Sequence, residues 1–167
     1  MQKNIKRLTI TALAAALVFI FTRFFSMTYA GGNGYIHLGD SMIYLFATLL
    51  PMPYRIFAAS IGASIADLTL APIYTIPTII IKAAMAIWFT NKKSSYSFRN
   101  FVVLIPSTII LIAGYLLYDI TIYGKESAFF YSQFTLIQGI ANAIVFITLS
   151  IILSKSKAYT SFKEELM

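Results

Sequence analysis

Six apolar segments, separated by short polar or proline-containing stretches, constrain this chain more than any other feature. A helix needs about 20 predominantly apolar residues to cross a bilayer, with a range of about 17–25. Segments one, four, five and six have that length, and the second and third are shorter. In chain order the segments cover residues 8–27, 38–50, 56–70, 74–90, 101–118 and 134–153.

Composition indicates that these segments lie in a membrane. The 167 residues are 59% hydrophobic and 11% charged, and the mean hydropathy is +0.78. Soluble domains carry about 25% charged residues, so too little polar surface remains to cover a soluble globule. We therefore predict a single-domain, all-α integral membrane protein over residues 1–167. The alternative is a soluble helical bundle in which the two short segments form a buried pair.

Two local signals refine the segment assignment. Pro51-Met52-Pro53 separates the second and third segments, because proline lacks the N–H that a continuing helix needs. These segments are expected to be tilted or partial helices joined by a tight turn. The first segment has a basic start and small residues at 28–30, as a signal peptide does, but its apolar run exceeds the usual 7–15 residues. We expect a retained helix.

The distribution of basic residues predicts orientation. Cytoplasmic loops are enriched in Lys and Arg, and placing the amino terminus inside leaves Lys125 alone in the outer loops. Six transmembrane helices with both termini cytoplasmic follow, in a multi-pass protein of a bacterial plasma membrane surrounded by lipid. The charges form no single basic face, so a nucleic-acid partner is not expected. The inner segments hold Lys3, Lys6, Arg7, Arg55, Lys92, Lys93, Arg99, Lys155, Lys157 and Lys163.

Polar residues inside the apolar segments cluster toward the outer side. A pore needs polar lining along its whole length, whereas a pocket open to the outside needs this one-sided distribution. Gln138 and Asn142 are four residues apart and therefore share a helix face. The expected substrate-binding residues are Tyr35, His37, Asp40, Tyr74, Lys82, Tyr115, Gln138 and Asn142, with Asp67 in a structural or ion-pairing role.

Each of these residues also has a structural interpretation. A charge in the hydrocarbon costs about 2.5–3.5 kcal/mol on insertion scales, so Lys82 could pair with Asp40 or with Asp67, or it could snorkel to the membrane interface. Asp40 could instead cap the second helix, and Asp67 could cap the third. His37 and the tyrosines suit a membrane interface, and Gln138 with Asn142 suits interhelical hydrogen bonding. We expect Asp40 to contact a ligand and Asp67 to hold structure, with Lys82 able to do either.

The motifs of the common enzyme classes are missing. The sequence contains no P-loop, no GxSxG and no HExxH. His37 has Ser41 four residues further on, but a serine dyad also needs an oxyanion hole and an orienting group. With no Cys and one His, no zinc ligand set is present. We expect neither a catalytic residue nor a metal or other cofactor.

Small residues and glycines mark two further features. Ala12 and Ala16 form a small-xxx-small pair on the first segment that could face another protein, because such pairs let helices approach closely. A similar stripe, Ala58-Gly62-Ala66, is expected to pack internally. The loop Ala30-Gly31-Gly32-Asn33-Gly34 is either a plain connector or a lid that closes over substrate, since glycine permits the backbone changes of opening.

Three motifs carry a resemblance to a known family. Leu38-Gly39-Asp40 begins the second helix, Gly62 to Leu68 (Gly-Ala-Ser-Ile-Ala-Asp-Leu) ends the third, and Pro77-Thr78 precedes Lys82 on the fourth. In order and spacing they resemble the substrate-binding S components of energy-coupling factor (ECF) vitamin transporters. The resemblance covers most of the chain, from the AxxxA pair to the last helix.

The resemblance implies a high-affinity vitamin site near the outer face, beneath the loop between helices 1 and 2. It also implies that Ala12 and Ala16 contact a transmembrane coupling subunit, which works with two cytoplasmic ATPases. The pattern is most similar to members for hydroxymethylpyrimidine or vitamin B6, although His37 stands where related sequences often have Asn. A compact, mostly neutral aromatic ring suits the predicted site, and a phosphate ester does not. The alternative function is a small oligomeric channel or a structural membrane protein.

Overall fold

The described chain begins with one long helix followed by a β-hairpin and a series of further helices. The computed structural model describes residues 2–29 and 34–167. The elements are α1 (Gln2–Phe24), β1 (Ser26–Tyr29), β2 (Gly34–His37), α2 (Gly39–Ala47), α3 (Tyr54–Leu70), a 3₁₀ turn (Pro72–Tyr74), α4 (Thr75–Ile87), α5 (Phe98–Val102), α6 (Leu104–Tyr123), α7 (Lys125–Ser154) and α8 (Lys157–Leu166).

The surface of this helical assembly is apolar, while several of its charged groups are inside. Ile76 is 73% exposed and Leu117 is 67% exposed, but Asp40 and Lys82 are 0% and 1% exposed. Soluble monomers rarely present large contiguous apolar surfaces. In lipid, such surfaces are not exposed to water and carry no free-energy cost. The outward-facing isoleucines, leucines and phenylalanines therefore agree with a membrane protein and not with the soluble bundle.

Among the described residues, three helical stretches are long and apolar enough to cross a bilayer. They cover Gln2–Phe24, Phe98–Tyr123 and Lys125–Ser154, and Pro72–Ile87 is a shorter apolar helix. The prediction of a helical membrane protein is therefore confirmed. The number of six spans and the cytoplasmic placement of both ends remain predictions.

The proline-rich turn separates α2 from α3 as expected. Helix α2 ends at Ala47, and α3 begins at Tyr54, directly after Pro51-Met52-Pro53. With 9 and 17 residues, respectively, both helices are shorter than a typical full span. The expectation of two short helices joined by a tight turn is confirmed.

The small-residue stripe of α3 packs against α1. Ala58, Ala63 and Ala66 are all at most 1% exposed. A Cβ added at Gly62 would lie 2.4 Å from the carbonyl oxygen of Ala15, a distance that real Cβ contacts do not reach. The α1 backbone can approach α3 only because position 62 has no side chain, so the expected internal role of this stripe is confirmed.

Two features of the fold were not predicted, and one of them, a β-hairpin, corrects the purely helical expectation. Strands β1 and β2 pair antiparallel, with Ser26 opposite His37 and Tyr29 opposite Gly34. Each strand has four residues, too few for a period-2 pattern to stand out from its apolar surroundings. Helix α8 was also not expected, because its ten residues follow the last apolar segment and are largely polar.

Candidate functional site

A cavity lies where the hairpin meets the ends of the helices, away from the start of α1. Its volume is about 40 Å³, enough for a very few water molecules. Aromatic rings and hydrogen-bonding groups provide most of the wall, and no lysine or arginine is among the described lining residues. The lining residues are Tyr29, Gly34, Tyr35, His37, Asp67, Tyr74, Tyr115, Asp119, Thr135 and Gln138.

The Asp67 carboxylate forms one side of this cavity and is held by hydroxyl groups. The Tyr35 hydroxyl donates to Oδ1, and the Thr78 hydroxyl donates to Oδ2. The Thr78 oxygen also lies 2.7 Å from the hydroxyl of Tyr115. Asp67 is 4% exposed, and its side chain bridges the hairpin, α3 and α4. The Asp67 side chain therefore contacts hydroxyl groups of other elements and does not cap a helix, as one interpretation of the sequence had suggested.

A second carboxylate lies on α6 at the same end of the molecule. The Tyr74 hydroxyl donates to Asp119 Oδ1 at 2.8 Å. The Tyr74 ring packs edge-on against Tyr115, with centroids 6.0 Å apart, and against Tyr118 at 5.6 Å. Edge-to-face pairs of this kind contribute about 0.5–1.5 kcal/mol beyond area burial. They hold the tyrosine wall in place on this side of the cavity.

The Asp40 carboxylate has a charged partner. Lys82 Nζ donates to Asp40 Oδ1 at 2.6 Å, and Gln138 Nε2 donates to Asp40 Oδ2 at 2.8 Å. The choice between the two aspartates as the partner of Lys82 is thus settled in favour of Asp40. Asp40 makes no helix-capping hydrogen bond, because the N-cap of α2 is Leu38 and has no side-chain partner. The capping interpretation of Asp40 was wrong.

Asn142 connects α7 to the junction between β2 and α2. Its amide nitrogen donates to the carbonyl oxygen of His37 at 2.7 Å, and its amide oxygen accepts from the backbone nitrogen of Ser41 at 2.8 Å. The same nitrogen donates to the carbonyl of Gln138. Gln138 and Asn142 therefore share one helix face as predicted, and their interhelical hydrogen bonding is confirmed.

His37 sits between the cavity and this buried network. Its Nε2 lies 3.2 Å from the amide nitrogen of Gln138, and its ring centroid is 5.5 Å from that of Tyr35. Burial lowers the pKa of the His37 imidazole, in strand β2, to about 4. The ring is consequently neutral at neutral pH and adds no positive charge to the cavity.

Gly39 explains part of the Leu-Gly-Asp motif. A Cβ at this position would lie 1.9 Å from Oγ1 of Thr22 on α1. Only glycine lets the first turn of α2 approach α1 this closely. That approach places the next residue, Asp40, in the interior where Lys82 and Gln138 reach it.

The structure divides the predicted residues into two groups. Tyr35, His37, Tyr74, Tyr115 and Gln138 line the cavity. Asp40, Lys82 and Asn142 lie behind its wall, each at most 1% exposed. Asp67, expected to be structural, is among the lining residues. Contact of any of these side chains with a ligand remains a prediction.

Sequence reasoning left four lining residues out of the predicted site, and one of them, Gly34, was considered only as part of the possible lid loop. Asp119 directly follows the fifth apolar segment, and its position four residues after Tyr115 on the same helix was a usable signal. Tyr29 and Thr135 offered no signal, since one depends on an unpredicted strand and the other is an ordinary helical threonine. Among the described residues, no three His, Asp or Glu side chains come together as metal ligands.

The hairpin covers one side of the cavity. Both strands contribute lining residues, and the Tyr29 ring stacks on Phe134 of α7 with centroids 4.1 Å apart and an interplanar angle of 7°. Residues 30–33 of the expected lid loop lie outside the described residues.

A separate apolar groove runs between α1 and α3. Ala12 and Ala16 lie on its floor and are solvent- or lipid-exposed. The groove has a volume of about 780 Å³ and contains almost no polar surface. Its remaining walls are formed by Leu8, Thr11, Ala15, Phe19, Pro53, Tyr54, Phe57, Ile61 and Ile65.

An apolar helical exterior with a polar, aromatic cavity at one end defines a membrane-embedded binding protein. A sequence profile described as "ECF-type riboflavin transporter, S component" matches residues 2–160. The chain belongs to this family of S components and is therefore an integral membrane subunit of a vitamin transporter, not an enzyme. Members of the family work with an ECF module of ATPases and a coupling protein.

One curated relative is also similar over most of the chain. It is 28% identical over 128 residues, which cover 74% of this chain and 84% of the relative. The relative is described as an uncharacterized protein in a gap 3′ region of Pyrococcus woesei.

Proposed function

We propose that the protein binds a small, nitrogen-containing aromatic vitamin or precursor in the cavity beneath the hairpin and delivers it to an ECF module. The observation that supports this most is the lining itself. Two carboxylates and several tyrosines meet at one end of an apolar helical assembly, while the interior behind them is filled and hydrogen-bonded.

The chemistry of the lining favours a ligand that donates hydrogen bonds. Asp67 and Asp119 accept hydrogen bonds, and a carboxylate accepts best from a charged or strongly polarised donor. A ring amine, a protonated ring nitrogen or a hydroxymethyl group supplies such donors, and the tyrosine faces suit a flat ring. A phosphate ester would place its negative charge beside two carboxylates with no lysine or arginine among the described lining residues. A ligand of the hydroxymethylpyrimidine or vitamin B6 type satisfies these conditions.

Riboflavin is the second candidate, because the family is described by that substrate. Its three-ring system offers a larger flat surface for the tyrosines. Its ring oxygens and nitrogens are mainly hydrogen-bond acceptors, however, and acceptors cannot form hydrogen bonds with the carboxylates of Asp67 and Asp119. Both candidates require the cavity to enlarge, since small-molecule sites usually measure about 300–1,000 Å³. Movement of the hairpin away from α7 would supply that space.

The three residues behind the wall contribute indirectly in this proposal. Asp40, Lys82 and Asn142 fix the β2–α2 junction and the Gln138 amide. They thereby set the position of the hairpin base and of the cavity floor. Asp67, Tyr35, His37, Tyr74, Tyr115 and Gln138 are the residues that we propose to contact the ligand.

A thermal-shift screen tests the proposed substrate class. A ligand at 100 times its Kd stabilises the folded state by about 2.7 kcal/mol. We expect micromolar hydroxymethylpyrimidine or pyridoxine to raise the Tm of the purified protein, riboflavin to raise it less, and pyridoxal phosphate to have no effect. If riboflavin gives the largest shift, the argument that the carboxylates select a hydrogen-bond-donating ring fails. If no vitamin shifts the Tm and the protein conducts ions in liposomes, the channel alternative is correct.

We further propose six membrane spans with both ends in the cytoplasm, in one domain. The contact between Lys6 and Glu165 brings the two ends of the chain to the same side, and the basic residues favour the inside for that side. The chain has no cysteine, so single cysteines at Lys3, Lys125 and Lys157 report accessibility without background. An impermeant thiol reagent added to intact cells should label position 125 alone, and labelling of position 3 or 157 would contradict the topology.

The α1–α3 groove is proposed to receive the coupling subunit, with Ala12 and Ala16 at the contact. Small side chains on its floor permit close helix approach. Ala16→Trp should abolish co-purification with the coupling subunit and two ATPases but leave vitamin binding intact. The matched control is Ile20→Trp, four residues further along α1 and outside the groove. Equal effects of both substitutions would place the contact elsewhere.

A further inference from the structure

Helix α8 contacts the start of α1 through its last turn. Glu165 forms an ion pair with Lys6, whose ammonium also lies 5.3 Å from the centroid of the Phe162 ring. Arg7 donates from Nε to the carbonyl oxygen of Leu166 at 2.8 Å, and from Nη2 to that of Met167 at 2.7 Å. The final carbonyls of a helix lack intrahelical partners, so Arg7 satisfies the end of α8.

Lys163, on the same buried side of α8 as Leu166, anchors this helix to the segment between α4 and α5. Lys163 Nζ donates to the carbonyl oxygen of Lys93 at 2.5 Å and lies 3.4 Å from Ser95 Oγ. Ser95 is 0% exposed and also contacts the Tyr159 hydroxyl and Thr48 Oγ1, each at 2.7 Å. A single buried serine therefore connects α8 to the end of α2 and to the 92–97 segment.

These contacts end where the α1–α3 groove begins. Lys6 and Arg7 are bound by α8, and the next residue, Leu8, is the first residue of the groove wall. Leu166 is 0% exposed although it lies at the end of the last helix. The orientation of the first turns of α1 thus depends on an element that takes no part in the groove itself.

The part of α8 that makes these contacts lies beyond the family match. The match ends at residue 160, whereas Phe162, Lys163, Glu165 and Leu166 follow it. The family match therefore does not itself cover these four residues of α8.

We propose that α8 is a clasp that fixes the start of α1 and thereby sets how the α1–α3 groove is presented to the coupling subunit. The second half of this statement rests on the proposed function, and the first half does not. Lys6, Arg7, Lys163 and Glu165 act as positioning residues, because none of them lines the groove or the cavity.

Release of the clasp tests the first half directly. Leu166→Asp places a carboxylate in a buried site, and burial of an unpaired charge is strongly unfavourable, so α8 should leave the start of α1. We expect amide hydrogen exchange of residues 3–9 in lipid nanodiscs to become about tenfold faster or more. Ser161→Asp adds the same charge at an exposed position of α8 and should leave exchange unchanged. Unchanged exchange in Leu166→Asp would overturn the proposal.

A charge exchange provides a specific second readout. Lys6→Glu and Glu165→Lys should each accelerate exchange of residues 3–9 by about two- to fivefold, the range measured for exposed ion pairs. The double variant restores an attractive pair with reversed sign and should return exchange to the wild-type rate. Glu164→Lys makes the same change at the neighbouring position as a control. Additive effects in the double variant would contradict a direct contact.

The second half is tested with the same variants. Leu166→Asp should weaken binding of the coupling subunit by about tenfold, while the Tm shift produced by the vitamin stays at the wild-type value. Wild-type affinity for the coupling subunit in a variant with accelerated exchange would overturn this half. A wild-type protein that binds neither vitamin nor coupling subunit would refute the proposed function instead, and the exchange data would still decide whether α8 fixes α1.

Discussion

Asp40 and Asp67, two of the buried aspartates at the cavity end of the molecule, differ in their partners and in their access to the cavity. Asp40 pairs with Lys82, is 0% exposed and lies behind the wall. Asp67 accepts hydrogen bonds from the hydroxyl groups of Tyr35 and Thr78 and lines the cavity. A carboxylate already paired with an ammonium is a structural support, whereas one held only by hydroxyls retains accepting capacity for a ligand.

The largest expected effect comes from breaking the Asp40–Lys82 pair. Removal of one partner of a buried pair leaves an uncompensated charge and typically costs about 3–5 kcal/mol. Lys82→Met should therefore lower the free energy of unfolding by about that amount, as measured by thermal or denaturant unfolding in detergent. Asp40→Leu combined with Lys82→Met should recover most of the loss.

Lys92→Met serves as the matched control for this prediction, because Lys92 is exposed, and it should change stability little. A small effect of Lys82→Met, or a double variant no more stable than the single one, would show that the pair does not support the interior. The distinction between Asp40 as a structural support and Asp67 as a ligand-binding residue would then be unsupported.

Asp67→Asn should weaken ligand binding more than it weakens the fold. Hydrogen bonds to charged groups contribute about 1.5–3 kcal/mol, so the Kd of the vitamin should rise about 10- to 100-fold. The amide oxygen can still accept from Tyr35 or Thr78, so the loss of Tm should be smaller than in Lys82→Met. Isothermal titration calorimetry provides the Kd.

Glu126→Gln removes the same charge at an exposed position of α7 and should leave the Kd unchanged. If Asp40→Asn raises the Kd without loss of stability while Asp67→Asn does not, the roles of the two aspartates are reversed.

Gly39→Ala tests whether close packing places Asp40 in the interior. The added methyl would overlap Thr22 Oγ1, and overpacking typically costs about 1–3 kcal/mol. The Tm should fall accordingly, and Thr22→Ala introduced together with Gly39→Ala should restore part of it. The absence of any rescue would indicate that the motif glycine has another role.

The smallest expected effect concerns pH at the opposite end of the molecule. Burial lowers the pKa of the Lys163 ammonium to about 8, below its usual value of 10.5. The docked helix therefore binds fewer protons than the released helix between these values, and docking strengthens as pH rises from about 8 to 10.5. Below pH 8 the lysine is charged in both states, and docking is weakest.

A nitroxide attached at Glu164→Cys, an exposed position of α8, reports this docking. Its mobile fraction should fall as pH rises from 7 to 9.5, because the released helix binds more protons than the docked helix over this range. Lys163→Met should remove the dependence. A mobile fraction that rises with pH would contradict the expectation that docking of α8 strengthens as pH rises.

The sequence predicted the parts of this protein that depend on composition and on spacing along one helix. The apolar segments identified the helices, the prolines separated α2 from α3, and the four-residue spacing placed Gln138 and Asn142 on one face. The resemblance to ECF S components agreed with the family that matches the chain. Each of these inferences needs only local geometry or the bulk chemistry of the segments.

The remaining features depend on contacts between residues distant in sequence. The partner of Lys82 could not be chosen, because Asp40 and Asp67 were equally compatible with it by depth. The hairpin, which brings Tyr29 and Tyr35 to the cavity, is formed by two four-residue strands with no clear periodicity. Helix α8 was missed because Lys163 and Leu166 are buried only by contacts with residues distant in sequence, namely Ser95 and the start of α1.

The central claim is that ligand enters a cavity that the hairpin closes against α7. Tyr29→Cys and Phe134→Cys replace the stacked pair that joins these elements, and the chain contains no other cysteine. A short, reducible thiol cross-linker should abolish vitamin binding measured by calorimetry, and reduction should restore it in the same sample. Unchanged binding in the cross-linked protein would contradict the account, because the ligand would then occupy a site that does not require the hairpin to move.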